Sequence, residues 1–309
     1  MSLPKRVQIV EVGPRDGLQA EDRFIPTELK IQLLEELAAA GLSQIEITSF
    51  VHPRVIPQMV DAVEVMTAAH QLGGVQRISL VPNLKGAQRA LEAGTQELRL
   101  VACVTETYNR RNVGLTVAQS LEVFGEIFAL AEPRGVAVAA VLAATFGCPF
   151  EGLVEESRVV DLARQFAQRG SAQIGLADSA GLGNPVQVRS LVQSVQEALP
   201  EMPLWLHFHD TRGLGIANAL AGLEAGVTTF DTSFGGLGGC PIIKGATGNI
   251  ATEDLVYALQ TMGVETGVDL DRLRRASQRL ARFLGRKLPS RVLAAGTHRE
   301  MVDRNRQDQ

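Results

Sequence analysis

The sequence predicts a (β/α)₈ barrel. Three observations point there. Short β-type runs alternate with longer helical patterns at near-regular spacing along all 309 residues. The helical stretches stop repeatedly at a glycine, the residue that closes a helix in a left-handed cap. The titratable residues gather after the strands and not before them, as the catalytic face of such a barrel requires.

Taken in order, the expected strands are Val7–Val12, Gln44–Thr48, Arg77–Val81, Glu97–Cys103, Val136–Ala143, Gln173–Ala177, Leu204–His209 and Thr229–Ser233. Each is a compact apolar run, the pattern of a buried strand. Between them the apolar spacing predicts helices at Pro26–Ala40, Val55–Leu72, Leu84–Ala93, Thr116–Ala131, Glu155–Arg169, Pro185–Ala198 and Ile216–Ala225. Gly41, Gly94, Gly135, Gly170 and Gly226 are the expected caps. Asp254–Met262 and Leu270–Leu284 read as further helices, followed by a polar tail. No linker stands out. We therefore expect a single domain over 1–309, with the barrel in 4–253 and a helical extension in 254–309 packed near the barrel mouth. A doubly wound open sheet would want a glycine-rich phosphate loop after the first strand, and Gly13-Pro-Arg-Asp-Gly17 is not one.

Composition excludes several classes. Hydrophobic residues make up 45% and charged residues 21%, ordinary for a folded soluble chain. The net charge of −4, with no basic stripe, argues against a nucleic-acid partner. Cys103, Cys148 and Cys240 form neither a C-x-x-C pair nor a disulfide framework, which fits a reducing compartment. No secretory signal core is visible near the start, and Val136–Ala144, the most apolar stretch, is too short to span a bilayer. A cytoplasmic protein without a membrane partner is expected.

The candidate site centres on His207 and His209, two of only five histidines. Side chains two apart on a strand share a face, about 6.6 Å apart. Two imidazoles so placed can lean onto one ion with bonds of about 2.1 Å. At the same end of the barrel stand Arg15 and Asp16, Glu46, Asp178, Asp231 and Asn249. Asp16, His207, His209 and Asn249 together offer a mixed oxygen and nitrogen set. That set suits Mg²⁺ or Mn²⁺, with zinc, cobalt or iron as other candidates. Arg15 is placed to stabilise a developing oxyanion, and Glu46 to pair with it. Cys240 lies in a glycine-rich loop, where a thiol is accessible for proton donation. Cys103, Cys148, His52 and His70 read as structural.

These residues carry a family resemblance. Val10-Glu-Val-Gly-Pro-Arg-Asp-Gly-Leu-Gln19, Ile45-Glu-Ile-Thr-Ser-Phe50, Pro82-Asn-Leu-Lys-Gly86, His207-Phe-His-Asp-Thr211, Gly236-Leu-Gly-Gly-Cys-Pro241 and Gly248-Asn-Ile-Ala-Thr-Glu-Asp254 resemble 3-hydroxy-3-methylglutaryl-CoA lyases from about Pro4 to Arg291. The resemblance implies a divalent cation held by Asp16, His207, His209 and Asn249. It implies an acyl-CoA substrate, and catalytic roles for Arg15, Glu46, His207 and Cys240. It also implies retro-Claisen cleavage of a 3-hydroxyacyl-CoA to acetyl-CoA and a keto acid, acetoacetate for the family's own substrate. A homodimer or larger homo-oligomer is expected on the same ground.

The chain departs from the family at the walls that would meet the acyl group. A family tyrosine falls on Val141, a nearby serine on Ala143, and another serine on Gly175. The segment before Cys240 reads Ser233-Phe-Gly-Gly where the family has Ser-Val-Ala-Gly. Gln19, Val141, Gly175, Asp178 and Phe234 are the candidate substrate contacts. A lost hydroxyl contact shifts preference by about 1–3 kcal/mol. A citramalyl-CoA lyase giving pyruvate is therefore the alternative, and a Claisen-condensing synthase of the isopropylmalate synthase group the second alternative.

Overall fold

A computed structural model describes residues 3–239 and 247–307. Eight parallel strands close into a barrel in chain order, with β8 pairing back onto β1. They are β1 (Gln8–Glu11), β2 (Gln44–Ser49), β3 (Gln76–Leu80), β4 (Glu97–Cys103), β5 (Ala137–Ala143), β6 (Ile174–Asp178), β7 (Leu204–Phe208) and β8 (Thr229–Thr232). All eight expected strands are present, with no end shifted by more than one residue. His209 lies just past β7, in an isolated bridge to Asn249.

The helices are α1 (Thr27–Ala39), α2 (Ala62–Ala68), α3 (Leu84–Glu92), α4 (Glu106–Val113), α5 (Val117–Ala131), α6 (Glu156–Gln168), α7 (Pro185–Ala198), α8 (Gly215–Glu224), α9 (Thr252–Thr261), α10 (Leu270–Leu284), α11 (Arg291–Ala295) and α12 (His298–Gln307). Local chemistry starts them. Thr116 and Gln119 form a capping box on α5, as Asn184 and Gln187 do on α7, where Pro185 takes the first turn. The five expected glycine caps all have positive φ. At Gly41 a β-carbon would also stand 2.2 Å from the Gly267 carbonyl oxygen, so only glycine fits.

Three expectations are corrected. The helix expected over Val55–Leu72 is broken, because Pro57 opens a separate 3₁₀ turn and only Ala62–Ala68 is α-helical. The loop after β4 holds α4, a short polar helix closed by Gly114 at φ 76. The polar tail folds into α11 and α12, the first capped by Ser290. No single helix among the described residues is long and apolar enough to cross a membrane.

Register layers the barrel interior. Val101, Val141, Gly175 and Trp205 align across β4 to β7 as one row. One step toward the strand ends, Cys103, Ala143, Ala177, His207 and Asp231 align as the next row. The described residues from Gly235 to Ser290 tie the extension to the turn after β8, through a Ser290 N–H donating to the Gly235 carbonyl at 3.0 Å.

Candidate metal and active site

Residues 13–17 leave β1 as a single π-helical turn. Such turns occur often at functional sites. This one sets Arg15 and Asp16 over the barrel mouth. Arg15 Nε donates to Glu46 Oε2 at 2.6 Å, and its Nη1 donates to Asp16 Oδ1 at 2.5 Å. Glu46 is fully buried on β2. Burial works against the charge on Arg15, but Glu46 and Asp16 raise its pKa on balance. Burial raises Glu46 despite the guanidinium beside it.

Asp16, His207 and His209 each present one ligand atom, and these atoms lie within 4.8 Å of one another. Burial opposes the Asp16 carboxylate, yet Arg15, both histidines and the Asn249 amide hold its pKa at about 2. Burial, with His207 beside it, pushes His209 down to about 4, so its imidazole is neutral and able to bind a cation at neutral pH. Burial also opposes charge on His207, but its hydrogen bond to Asp231 raises its pKa overall. Asn249 Nδ2 donates to Asp16 Oδ2 at 2.7 Å and to the Leu237 carbonyl at 3.1 Å.

A divalent cation fits this set. His209 Nδ1 and Asn249 Oδ1 are buried acceptor-capable atoms with no hydrogen-bond partner. Orphaned buried polar atoms are costly and call for a partner. Two of them beside an ionised carboxylate and a second imidazole make a mixed oxygen and nitrogen donor set.

The structure thus brings Arg15, Asp16, Glu46, His207, His209 and Asn249 together. Gln19 joins them through a 3.3 Å hydrogen bond to Asp16. Val141 lies in the interior row beneath, 8% exposed. Asp178 is wholly buried and accepts from the Leu182 and Gly183 amides, so it shapes the loop after β6. Two candidates present no surface to a substrate here. Gly175 is covered by the Trp205 indole, which would stand 2.3 Å from an added β-carbon. Phe234 is fully buried against Gly13. Cys240 lies outside the described residues. Cys103 and Cys148 are buried, and His70 Nε2 donates to the Ala93 carbonyl at 2.9 Å, a structural role.

Sequence reasoning missed Arg99, Trp205 and the role of Asp231. Asp231 Oδ1 accepts from Arg99 at 2.9 Å, while Oδ2 accepts from Trp205 Nε1 at 3.0 Å and lies 3.2 Å from His207 Nδ1. The available signal was an arginine in an otherwise apolar strand pattern, Leu98-Arg99-Leu100.

The chain resembles known proteins over almost its whole length. A family model described as HMGL-like matches residues 6–280. The mitochondrial hydroxymethylglutaryl-CoA lyase of Macaca fascicularis is 40% identical over 294 residues, 95% of this chain and 90% of that protein. A Pseudomonas aeruginosa protein named 3-hydroxy-3-isohexenylglutaryl-CoA/hydroxymethylglutaryl-CoA lyase is 42% identical over 295 residues, 96% of this chain and 98% of that one. The solved structure of an HMG-CoA lyase from Acinetobacter baumannii, in complex with coenzyme A and 3-methylmalate, matches with a TM-score of 0.92. It is 43% identical, and the match covers 96% of this chain and 97% of that one.

Proposed function

Because this chain belongs to the HMGL-like family, we propose that it is a divalent-metal-dependent lyase that cleaves 3-hydroxy-3-methylglutaryl-CoA to acetyl-CoA and acetoacetate. The observation that carries this reading is the convergence of Asp16, His207 and His209 beside the Arg15–Glu46 pair at the strand ends.

In the reaction a general base takes the proton of the C3 hydroxyl, C3 becomes the ketone carbonyl of acetoacetate, and the C2–C3 bond breaks. The electron pair of that bond moves into the thioester enolate, and C2 then gains a proton. Asp16, His207, His209 and Asn249 would hold Mg²⁺ or Mn²⁺, which would supply Lewis acidity to lower the pKa of that hydroxyl. The chain's own residues do the rest. Arg15 places fixed positive charge where the enolate oxygen develops, and needs no reorganisation because Glu46 and Asp16 already hold it. Asp16 stays ionised across the neutral range. The Cys240 thiol is the proposed donor of the proton to C2. Gln19, hydrogen-bonded to Asp16, and Val141, in the interior row beneath, are the proposed contacts of the acyl group. A homodimer or larger homo-oligomer acting in the cytoplasm goes with this reading, and light scattering on the purified protein tests the assembly.

The decisive assay incubates the protein with Mg²⁺ or Mn²⁺ and 3-hydroxy-3-methylglutaryl-CoA, and identifies the products by mass. Acetyl-CoA with acetoacetate is the expected result. Turnover of citramalyl-CoA to pyruvate, with no cleavage of the methylglutaryl thioester, would overturn the substrate. Failure on both would overturn the activity.

A further inference from the structure

Below the proposed cation site, buried polar groups run down the barrel interior from one end toward the other. Glu97 on β4 accepts from Gln76 at 3.0 Å, Gln173 at 2.9 Å and Arg99 Nε at 2.9 Å. Arg99 passes the connection to Asp231, and Asp231 to His207. Arg99, Asp231 and Trp205 are all 3% exposed or less. The guanidinium also lies 4.5 Å from the centroid of the Trp205 ring. Desolvating an arginine and two carboxylates costs more than their attraction returns unless the geometry is close to ideal, and an apolar filling would pack the barrel as well or better. Packing therefore does not account for this network. Its upper end does: every contact on Asp231 fixes the plane of the carboxylate that faces His207.

We propose that Asp231, oriented by Arg99 and Trp205, is a positioning residue for His207. It holds the imidazole with the proton on Nδ1 and leaves Nε2 for the cation. The logic is that of a histidine ligand whose second nitrogen donates to a carboxylate, which sets both tautomer and ring orientation. Committing Nδ1 to Asp231 assigns His207 to holding the cation and not to carrying a proton. Trp205 reaches Asp231 because its ring takes the space over Gly175 in the adjacent strand, where a β-carbon would lie 2.3 Å from Cε2 and 2.4 Å from Cζ2. Gly175, which touches neither cation nor acyl group, is thereby coupled to His207 through Trp205 and Asp231. This assignment rests on the proposed metal dependence.

The test combines the tautomer of His207 with cation affinity. Selective ¹⁵N-histidine labelling of the Mg²⁺-loaded wild type should show the His207 proton on Nδ1. A proton on Nε2 overturns the proposal whether or not any variant folds. Mn²⁺ titration followed by EPR is then run on wild type, Asp231→Asn and Gly175→Ala. An asparagine amide cannot accept from both Arg99 and Trp205, so its NH₂ group meets a donor and the plane is lost. We expect the Mn²⁺ dissociation constant to rise by about 10–100-fold in Asp231→Asn and by less in Gly175→Ala, with kcat reduced more than KM is raised. A purely structural role would lower the melting temperature and leave the dissociation constant of the folded protein unchanged. A folded variant of either kind with the wild-type constant overturns the proposal. A wild type that binds neither Mn²⁺ nor Mg²⁺ overturns the metal reading, and the His207 tautomer is then read in the unloaded protein, where a proton on Nε2 alone still overturns the contact with Asp231.

Discussion

Arg15 is clamped at two corners by carboxylates from different elements, Glu46 on β2 and its own neighbour Asp16. A planar fork can satisfy both at once, and a lysine ammonium on a flexible stem cannot. Arg15→Lys should therefore fold, keep most of its affinity for the acyl-CoA, and lose kcat by about 100-fold or more. Steady-state kinetics check this, and a wild-type kcat would remove Arg15 from enolate stabilisation. Much of this site is legible in the sequence at the level of single residues. Asp16 and His209 follow strands and His207 sits near the end of one, and the period of two along β7 alone puts the histidines on one face. Asp231 is legible only as a polar strand end. Arg99 is not legible as its partner, because the two are separated by 132 residues and meet through the curvature of the barrel. Gly175 and Phe234 read as pocket walls because the resemblance aligns them there. The bulk of Trp205, two strand positions before His207, and the packing of Phe234 on Gly13 are tertiary facts.

Among the elements, the π-helical turn after β1 and the 3₁₀ turn Phe234–Gly236 after β8 share one buried anchor. Glu11 accepts from the Gly13 amide at 2.8 Å, the Phe234 amide at 2.9 Å and the Thr252 hydroxyl at 2.7 Å. Full burial pushes its pKa up to about 8, against those hydrogen bonds. The local geometry accommodates a neutral Glu11: Thr252 Oγ1 is also 2.8 Å from Thr232 Oγ1, so it can accept a proton from Glu11 Oε2 while donating its own to Thr232. The consequence for stability has a definite sign. Between the ordinary value of 4.5 and about 8 the folded state holds the proton and the unfolded state does not. Stability from this group is thus lost as pH rises through that window. Glu253, raised to about 7 mainly by burial, adds in the same direction over a narrower window. Glu11→Gln keeps an oxygen for the two amides and supplies a permanent donor to Thr252. Thermal melts should show the variant losing less melting temperature than wild type from about pH 5 to about pH 8. Because Glu253 is present in both proteins, equal slopes would refute a neutral Glu11. The regular helices were legible through their caps. The turn Gly13–Gly17 was not, since a short Gly-Pro-Arg-Asp-Gly run has no periodicity to read.

At the scale of the molecule, the alternation of strands and helices is written in the sequence because each strand is buried on both faces and each helix stops at a cap. The path of the extension is not, because it depends on what the closed barrel leaves uncovered. After α9 the chain crosses beneath the barrel, where the Val7 amide donates to the Glu265 carbonyl at 2.9 Å. It returns along α1 through α10, with Arg279 paired to Glu36 at 2.7 Å. It then crosses the turn after β8, where Leu288 covers Gly235 and Pro289 covers Gly236. Asp254 fixes this crossing by accepting from the Ser290 hydroxyl at 2.8 Å, the Arg291 amide at 3.0 Å and the Val292 amide at 2.8 Å. The last helix, α12, has a lighter hold: Glu300 pairs with Arg274 at 2.7 Å. Two truncations separate these contributions. Removing 297–309 gives up that pair and lets water reach Arg274, which keeps the Asp271 carboxylate at 3.7 Å. Removing 285–309 uncovers two glycines with φ of 70° and 73°, and strips Asp254 of three donors. It thereby loosens the turn from which the Cys240 segment departs. The first truncation should keep wild-type kcat and nearly the wild-type melting temperature. The second should melt several degrees lower and lose turnover, while its Mn²⁺ affinity falls by less, because Asp16, His207 and His209 stand on the turn after β1 and at the end of β7 and only Asn249 is held by the Leu237 carbonyl beside the loosened turn. A longer truncation with wild-type kcat would show that the turn after β8 holds its shape unaided. An equal loss of Mn²⁺ affinity would show that the cover supports the whole mouth of the barrel and not that turn alone.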